Sequence, residues 1–184
     1  MEKETKVLIT GDFYAGGRIS QLINEARYNE IFNDFLPIIK LSDIAVTNLE
    51  SALTNEIKPI DKTGPAIKSP ATTIDALKYA GFNLVTLANN HIMDYGEKGL
   101  IDTIELCSDN NIDFLGAGLN LEEASKVLYK NINGNKLAFI NIAENEWSTT
   151  HGEESGANPL NPVANYYSIK EARTKADYVF VIIH

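Results

Sequence analysis

The sequence is poor in cysteine and has no long hydrophobic run. Its single cysteine, Cys107, excludes an intrachain disulfide, and its position in a helix-like run predicts a buried, inert thiol. No apolar run reaches 18 residues, and no apolar signal-peptide core follows the charged residues 1–6. We therefore expect neither a signal peptide nor a membrane span. The simplest expectation is a cytoplasmic protein, or a membrane-associated or extracytoplasmic one if the sequence belongs to a longer chain.

Positive charge is also scarce. The 184 residues include 16 Lys and Arg against 25 Asp and Glu, which gives a formal net charge of −9. This balance argues against a nucleic-acid-binding surface, because phosphate contacts need clustered Lys and Arg. An acidic protein that acts on an anionic substrate needs a local cation, and a bound metal can supply one.

Several common catalytic motifs are missing. The glycine-containing stretch 11–18 is neither a dinucleotide-binding G-x-G-x-x-G nor a phosphate-binding P-loop, since no G-K-[ST] follows. No G-x-S-x-G nucleophile elbow is present, and Cys107 lacks the context of a nucleophile. Metal chemistry survives this comparison best.

Strand and helix signals alternate along most of the chain, which predicts an α/β fold with a largely parallel sheet. Asn133-Gly134 is typical of a type I′ hairpin and adds antiparallel strands. Two long polar loops, 50–68 and 144–164, are predicted to be functional or mobile. The predicted strands are 7–10, 44–48, 83–87, 112–115, 127–129, 137–142 and 178–183, and the predicted helices are 19–26, 31–40 with a kink or split at Pro37, 69–81 opened by Ser69-Pro70, 99–110 and 168–175.

Polar side chains follow four strand-like apolar runs, and in open α/β sheets ligands bind at these carboxyl ends. Carboxylate, amide and imidazole groups from several strand ends predict a metal site assembled across a sheet. The residues concerned are Asp12, then Asn48 and Glu50, then Asn89, Asn90, His91 and Asp94, and finally His184.

Each of these residues also has a structural interpretation. Asp12 can cap a turn, Asn48 and Glu50 can mark the polar exit of a strand, and His184 can be a solvent-exposed end. The asparagines near His91 can make turn hydrogen bonds. In the second long loop, His151 is either a solvated loop residue or part of a lid that brings polar groups to the site.

Taken in order, these motifs resemble the bacterial capsule-synthesis (CapA, poly-γ-glutamate capsule) family. Asn-Leu-Glu together with Ala-Asn-Asn-His-x-x-Asp at this separation is the specific part of the resemblance. The similarity runs from residue 6 to 184, through Gly11-Asp12 and the segments 45–51, 81–91, 94–96, 99–100, 115–118 and 181–184.

That family is similar to the calcineurin-like metallophosphoesterases, so the resemblance implies a four-layer α/β/β/α sandwich with mixed sheets and one or two divalent ions (Mn, Fe or Zn). It implies His91 as proton donor or charge stabiliser, with Asp94 as its orienting partner. It also implies four metal ligands: Asp12 at the first metal, Glu50 as a bridging or second-site carboxylate, and Asn90 and His184 at the second. We expect Asn48, Asn89 and His151 to contact the substrate.

Three departures from the phosphoesterase pattern predict that the first metal site is incomplete. Tyr14 stands where Asp-x-His would place histidine, Glu50 stands where aspartate is usual, and no final Gly-His-x-His follows. The last strand ends on a bare histidine, so we expect residues 1–184 to be one CapA-like domain, the N-terminal part of a longer natural chain.

Two functions of different class fit these features best. The first is a metal-dependent hydrolase that acts on a phosphoester or an anionic polymer with the capsule synthesis machinery. The second is a non-catalytic capsule-polymer-binding or assembly module that has lost part of the dinuclear metal site. A metal-free small-molecule-binding α/β protein is the weaker third.

Overall fold

Two sheets form the centre of the protein, whose computed structural model describes residues 4–184. The first sheet has the order β1-β2-β5-β6 and all its pairings are parallel. The second has the order β11-β9-β8, in which β11 is parallel and β8 antiparallel to β9. The strands are β1 (Val7–Phe13), β2 (Ile44–Leu49), β3 (Ala52–Leu53), β4 (Lys68–Ser69), β5 (Leu84–Thr86), β6 (Asp113–Leu115), β7 (Ala117–Gly118), β8 (Leu128–Ile132), β9 (Asn135–Ile142), β10 (Gly156–Ala157) and β11 (Tyr178–Ile183).

The helices connect these strands as crossovers. Two of them, each 14 residues long, are the longest described elements. They are α1 (Arg18–Asn24), α2 (Tyr28–Phe32), α3 (Leu36–Lys40), α4 (Thr73–Ala80), α5 (Gly96–Asp109), α6 (Leu121–Ala124) and α7 (Pro162–Lys175), with a 3₁₀ turn over Asn33–Phe35 between α2 and α3.

Side-chain alternation in β2 gives the first sheet an apolar layer on each face. All six β2 residues are buried, as expected for a strand covered on both sides. Ala45 packs in the core beneath the helices, with Leu77 of α4. Ile44 and Val46 face the other way, into a second core between the two sheets.

The same alternation in β9 divides the second sheet. Leu137 and Phe139 belong to the core between the sheets. Ala138 and Ile140 belong to a third core, which Ala172 of α7 closes from outside. Three cores separate four layers, so the predicted α/β/β/α sandwich with mixed sheets is confirmed.

The predicted helix 31–40 is broken into short pieces. Asn33 has a positive φ of 44°, which ends α2 and starts the 3₁₀ turn. Pro37 lies in the first turn of α3, where its missing N–H costs nothing. The predicted split is therefore found, with Asn33 as its first cause.

Three predicted helix starts are wrong, and one of them is that of α5, predicted at residue 99 but found at Gly96. Ser69 lies in β4, where its hydroxyl pairs with Ser51 and accepts from the N–H of Ala15, so it caps no helix and α4 begins only at Thr73. The last helix begins at Pro162 rather than at 168. Asn161 accepts there from two backbone N–H groups, which makes Asn161-Pro162 an N-cap and first-turn signal that sequence reasoning missed.

The predicted hairpin is confirmed. Asn133 and Gly134 have positive φ angles of 53° and 91°, as a type I′ turn requires, and they join β8 to β9. Among residues 4–184, no helix combines the length and apolar character needed to cross a bilayer.

Cys107 lies in α5 with its side chain inside the first core. Burial raises the pKa of its thiol from 9.0 to about 12, so the reactive thiolate is absent at pH 8. We expect the native protein to resist the thiol reagent DTNB at pH 8 and to react fully in urea. Because the unfolded chain releases this proton first, stability should fall as the pH rises above 9. Rapid labelling of the native protein would contradict the assigned burial.

Candidate functional site

The candidate site lies where strand ends from both sheets meet, and His184 is its centre. Its backbone N–H donates to the carbonyl of Ile142 (3.0 Å), which continues the pairing of β11 with β9. Phe180 and Ile182 face the core between the sheets. Since strand side chains alternate, His184 shares their face and points toward the first sheet.

The imidazole of His184 contacts side chains from three strand ends of the first sheet. Its Nδ1 lies 3.1 Å from Asn48 Nδ2 and 3.3 Å from Asp12 Oδ1. Its Nε2 lies 3.2 Å from Asn90 Oδ1 and 3.7 Å from Glu50 Oε1. We call Asp12, Asn48, Glu50, Asn90 and His184 the strand-end cluster.

The strand-end cluster has a solvent-accessible side and a buried side. The Asp12 side chain is 50% exposed, and those of Glu50 and His184 are 24% and 23% exposed. Asn48 is buried beneath them. A ligand can therefore reach the carboxylates and the imidazole from solvent.

Asn48 and Asn89 form the buried floor of the site. Asn48 donates to Asp12 Oδ1 (2.7 Å) and accepts from Thr86 and from Asn89 Nδ2. Asn89 also donates to the carbonyl of Leu49 (2.9 Å). Both asparagines hold strand ends together in this structure, and their predicted contact with substrate stays a prediction.

His91 forms a dyad with Asp94 beside the strand-end cluster. His91 Nδ1 lies 2.7 Å from Asp94 Oδ2, and the backbone N–H of His91 donates to Asn89 Oδ1 (3.0 Å). Asp94 is buried and also forms an ion pair with Lys62. Lys62 was not predicted, since nothing in the irregular loop 50–68 distinguishes it from the neighbouring lysines.

Asn141 is a second residue that sequence reasoning missed. It is buried on the face of β9 that meets the first sheet. Its side-chain oxygen accepts from the N–H of Ala88 (2.6 Å), and its amide donates to the carbonyl of Ile182 (3.2 Å). A lone asparagine at an inward position of the apolar strand 137–142 was the available signal.

The second long loop packs on the site through Ser148 and not through His151. Ser148 is buried and donates to the carbonyl of Asn89 (2.7 Å). His151 is exposed, with its ring 3.5 Å from the hydroxyl of Thr149. Within residues 4–184, no hydrogen bond or ion pair joins His151 to the strand-end cluster.

The donor chemistry of the strand-end cluster suits a divalent cation, since carboxylate, amide oxygen and imidazole are all common ligands of Mn, Fe and Zn. In this structure the side-chain oxygens of Asp12, Glu50 and Asn90 lie 3.3, 3.7 and 3.2 Å from the ring nitrogens of His184. In the described part of the chain, no group of three His, Cys, Asp or Glu side chains is arranged to hold a metal ion. The residue types fit a metal, and their present arrangement is that of a hydrogen-bonded cluster.

Sequence comparison gives a family match over nearly the whole chain. The family model described as bacterial capsule synthesis protein PGA_cap matches residues 6–184. The chain is 31% identical over 192 residues to the capsule biosynthesis protein CapA of Bacillus anthracis, covering 100% of this chain and 46% of that protein. It is 29% identical to the PGA biosynthesis protein CapA of Bacillus subtilis (strain 168), covering 95% and 47%. The chain thus spans about half the length of these relatives.

Solved structures with similar folds support the architecture. One is described as a novel phosphatase from Mycoplasma pneumoniae, with a TM-score of 0.51 and 21% identity, covering 100% of this chain and 56% of that one. Another is a hypothetical protein from Thermus thermophilus, with a TM-score of 0.53 and 16% identity, covering 98% and 57%. At these identities the likeness concerns the fold.

Gly116 provides a test of the link that Asn141 makes between the sheets. Gly116 has a φ of 94°, and an added Cβ would lie 2.0 Å from Asn141 Oδ1. Gly134 has a similar φ of 91° with open space around it, so Gly134→Ala is a matched control that carries only backbone strain, about 1 kcal/mol. We expect Gly116→Ala to lower the free energy of unfolding in urea by at least about 2 kcal/mol more than the control. Equal losses would show that the Asn141 contact adds nothing.

Proposed function

This chain belongs to the PGA_cap family of bacterial capsule synthesis proteins, and from that membership we propose that it works in the synthesis of a poly-γ-glutamate-type capsule. The names of its Bacillus relatives, capsule and PGA biosynthesis proteins, support this proposal. Its partners are then the capsule synthesis machinery and an anionic substrate, either the polymer or a phosphoester. Its net charge of −9 disfavours nucleic acid.

The proposed activity is metal-dependent hydrolysis. The observation that carries it is the convergence of Asp12, Glu50 and Asn90 on His184, from strand ends of two sheets. These four side chains would hold one or two divalent ions of Mn, Fe or Zn. Such an ion would supply Lewis-acid polarisation of the attacked group and attract an anionic substrate to an acidic protein.

In this proposal, His91 protonates the leaving group or stabilises its developing charge. Its Nδ1 is engaged by Asp94, at 2.7 Å, which sets the ring orientation. The imidazole then presents Nε2 to the substrate, where it donates a proton to the departing oxygen or stabilises its charge. The Asn89 oxygen holds the His91 backbone in place during this step.

A non-catalytic capsule-polymer-binding or assembly role is the second candidate. One observation favours it: Asp12, Asn48, Asn90 and His184 are joined to one another by hydrogen bonds, and no three-ligand metal arrangement occurs among residues 4–184. In this case the strand-end cluster would serve assembly or polymer binding without catalysis.

Metal content distinguishes the two candidates. We expect the 184-residue protein purified without chelator to contain Mn, Fe or Zn, and Asn90→Ala to lose most of it because one oxygen donor is gone. Asn29→Ala, an exposed change on α2, is the control and should keep the wild-type content. Elemental analysis of all three proteins is the measurement. Absence of metal from the wild type would leave the binding role.

His91→Ala tests the catalytic assignment separately. We expect turnover of p-nitrophenyl phosphate to fall by about 100-fold or more, because proton transfer is lost. Metal content should stay at the wild-type value, since His91 contacts Asp94 and lies outside the strand-end cluster. Unchanged turnover by this variant would remove His91 from the mechanism.

A further inference from the structure

Lys62 is a lysine with almost no exposure. Its side chain is 4% exposed, whereas lysines are almost never fully buried unless they are paired. Its ammonium group forms an ion pair with Asp94, whose side chain is 1% exposed, and lies 3.4 Å from His91 Nδ1. The His91–Asp94 dyad, to which we assign the proton step, therefore has a buried cation in contact with both of its members.

Asp94 also holds the segment from which Lys62 comes, the irregular stretch 54–67 between β3 and β4. The N–H of Ile60 donates to the carbonyl of Asp94 (2.9 Å), and the N–H of Ile67 donates to its Oδ2 (2.8 Å). With the Lys62 ion pair, three contacts fix this segment to one residue. The position of Lys62 is thus set by the backbone on both sides of it.

The two carboxylate oxygens of Asp94 have different partners. Oδ2 serves His91 and the N–H of Ile67, while Oδ1 faces Lys62. Without Lys62 the buried carboxylate would lose the fixed positive charge that pairs with it, and an unpaired buried charge is strongly unfavourable. The carboxylate would then turn toward solvent and give up its contact with the imidazole.

We propose that Lys62 is a positioning residue for His91 and acts through Asp94. The ammonium group fixes the carboxylate plane, the carboxylate fixes the His91 ring through Nδ1, and Nε2 remains directed away from Asp94. The catalytic consequence rests on the proposed function. The geometric part is independent of it.

The geometric part is tested by nuclear magnetic resonance with ¹⁵N-labelled histidine. The chain has three histidines, so the Nδ1–H signal of His91 is assigned by its loss in His91→Gln. We expect this proton to exchange slowly with water in the wild type and at least tenfold faster in Lys62→Met. Lys58→Met, a change of an exposed lysine in the same segment, should leave the exchange rate unaltered.

The outcomes separate cleanly. Wild-type exchange in Lys62→Met would overturn the proposal. If Lys62→Met does not fold, the exchange rate is measured in Lys62→Gln, whose amide is polar but carries no charge. Faster exchange than in the wild type would support the role of the charge, and wild-type exchange would overturn the proposal. Lys62→Arg retains the charge and should keep most of the protection.

Turnover gives the second readout. In Lys62→Met we expect kcat for p-nitrophenyl phosphate to fall about 10- to 100-fold, with KM and metal content unchanged. Combining Lys62→Met with Asp94→Asn should cost no more than Asp94→Asn alone, because both act through one carboxylate. Additive losses would contradict action through Asp94. If the wild type has no turnover, the proposed function fails, and the exchange experiment still decides the role of Lys62.

Discussion

The packing of the two sheets against each other decides which residues can meet at the site. Phe139 of β9 and Phe180 of β11 stack with ring centroids 5.0 Å apart, in the core between the sheets. Because alternation is strict, this contact also sets the side of β11 on which His184 emerges. A slip of one residue would turn the imidazole toward α7 and leave Asp12 and Glu50 without it.

A polar layer continues the apolar core at the carboxyl ends of the strands. Asn141 of β9 joins the two sheets by accepting from the N–H of Ala88, and it also donates to Ile182 of the neighbouring β11. Asn48 and Asn89 join the strand ends of the first sheet. Buried amides of this kind are favourable only when their hydrogen bonds are made, so they specify one alignment of the sheets. The solvent-accessible carboxylates of Asp12 and Glu50 and the His184 imidazole depend on this buried layer for their positions.

Local patterns revealed much of this arrangement. The apolar run 178–183 predicts β11 with its observed bounds, and polar residues after apolar runs locate Asp12, Glu50 and Asn90. The four layers came from the family resemblance rather than from periodicity. Lys62 could not be found in this way, because its role depends on a contact with Asp94, 32 positions along the chain, that no local pattern encodes. Ser69 was misread for a similar reason, since a distant hydroxyl on Ser51 takes the place of a helix cap.

The strand-end cluster draws two of its side chains from outermost strands. Within residues 4–184, β1 is an edge strand of the first sheet and carries Asp12, and His184 follows β11, an edge strand of the second. An edge strand is hydrogen-bonded to only one neighbouring strand, so it opens at a lower free-energy cost than an inner strand. Any ion or substrate that binds both Asp12 and His184 therefore links an edge strand of one sheet to an edge strand of the other. Binding of such a ligand raises the free energy needed to open either edge strand. Occupancy of the site and the stability of both sheet edges are therefore thermodynamically linked.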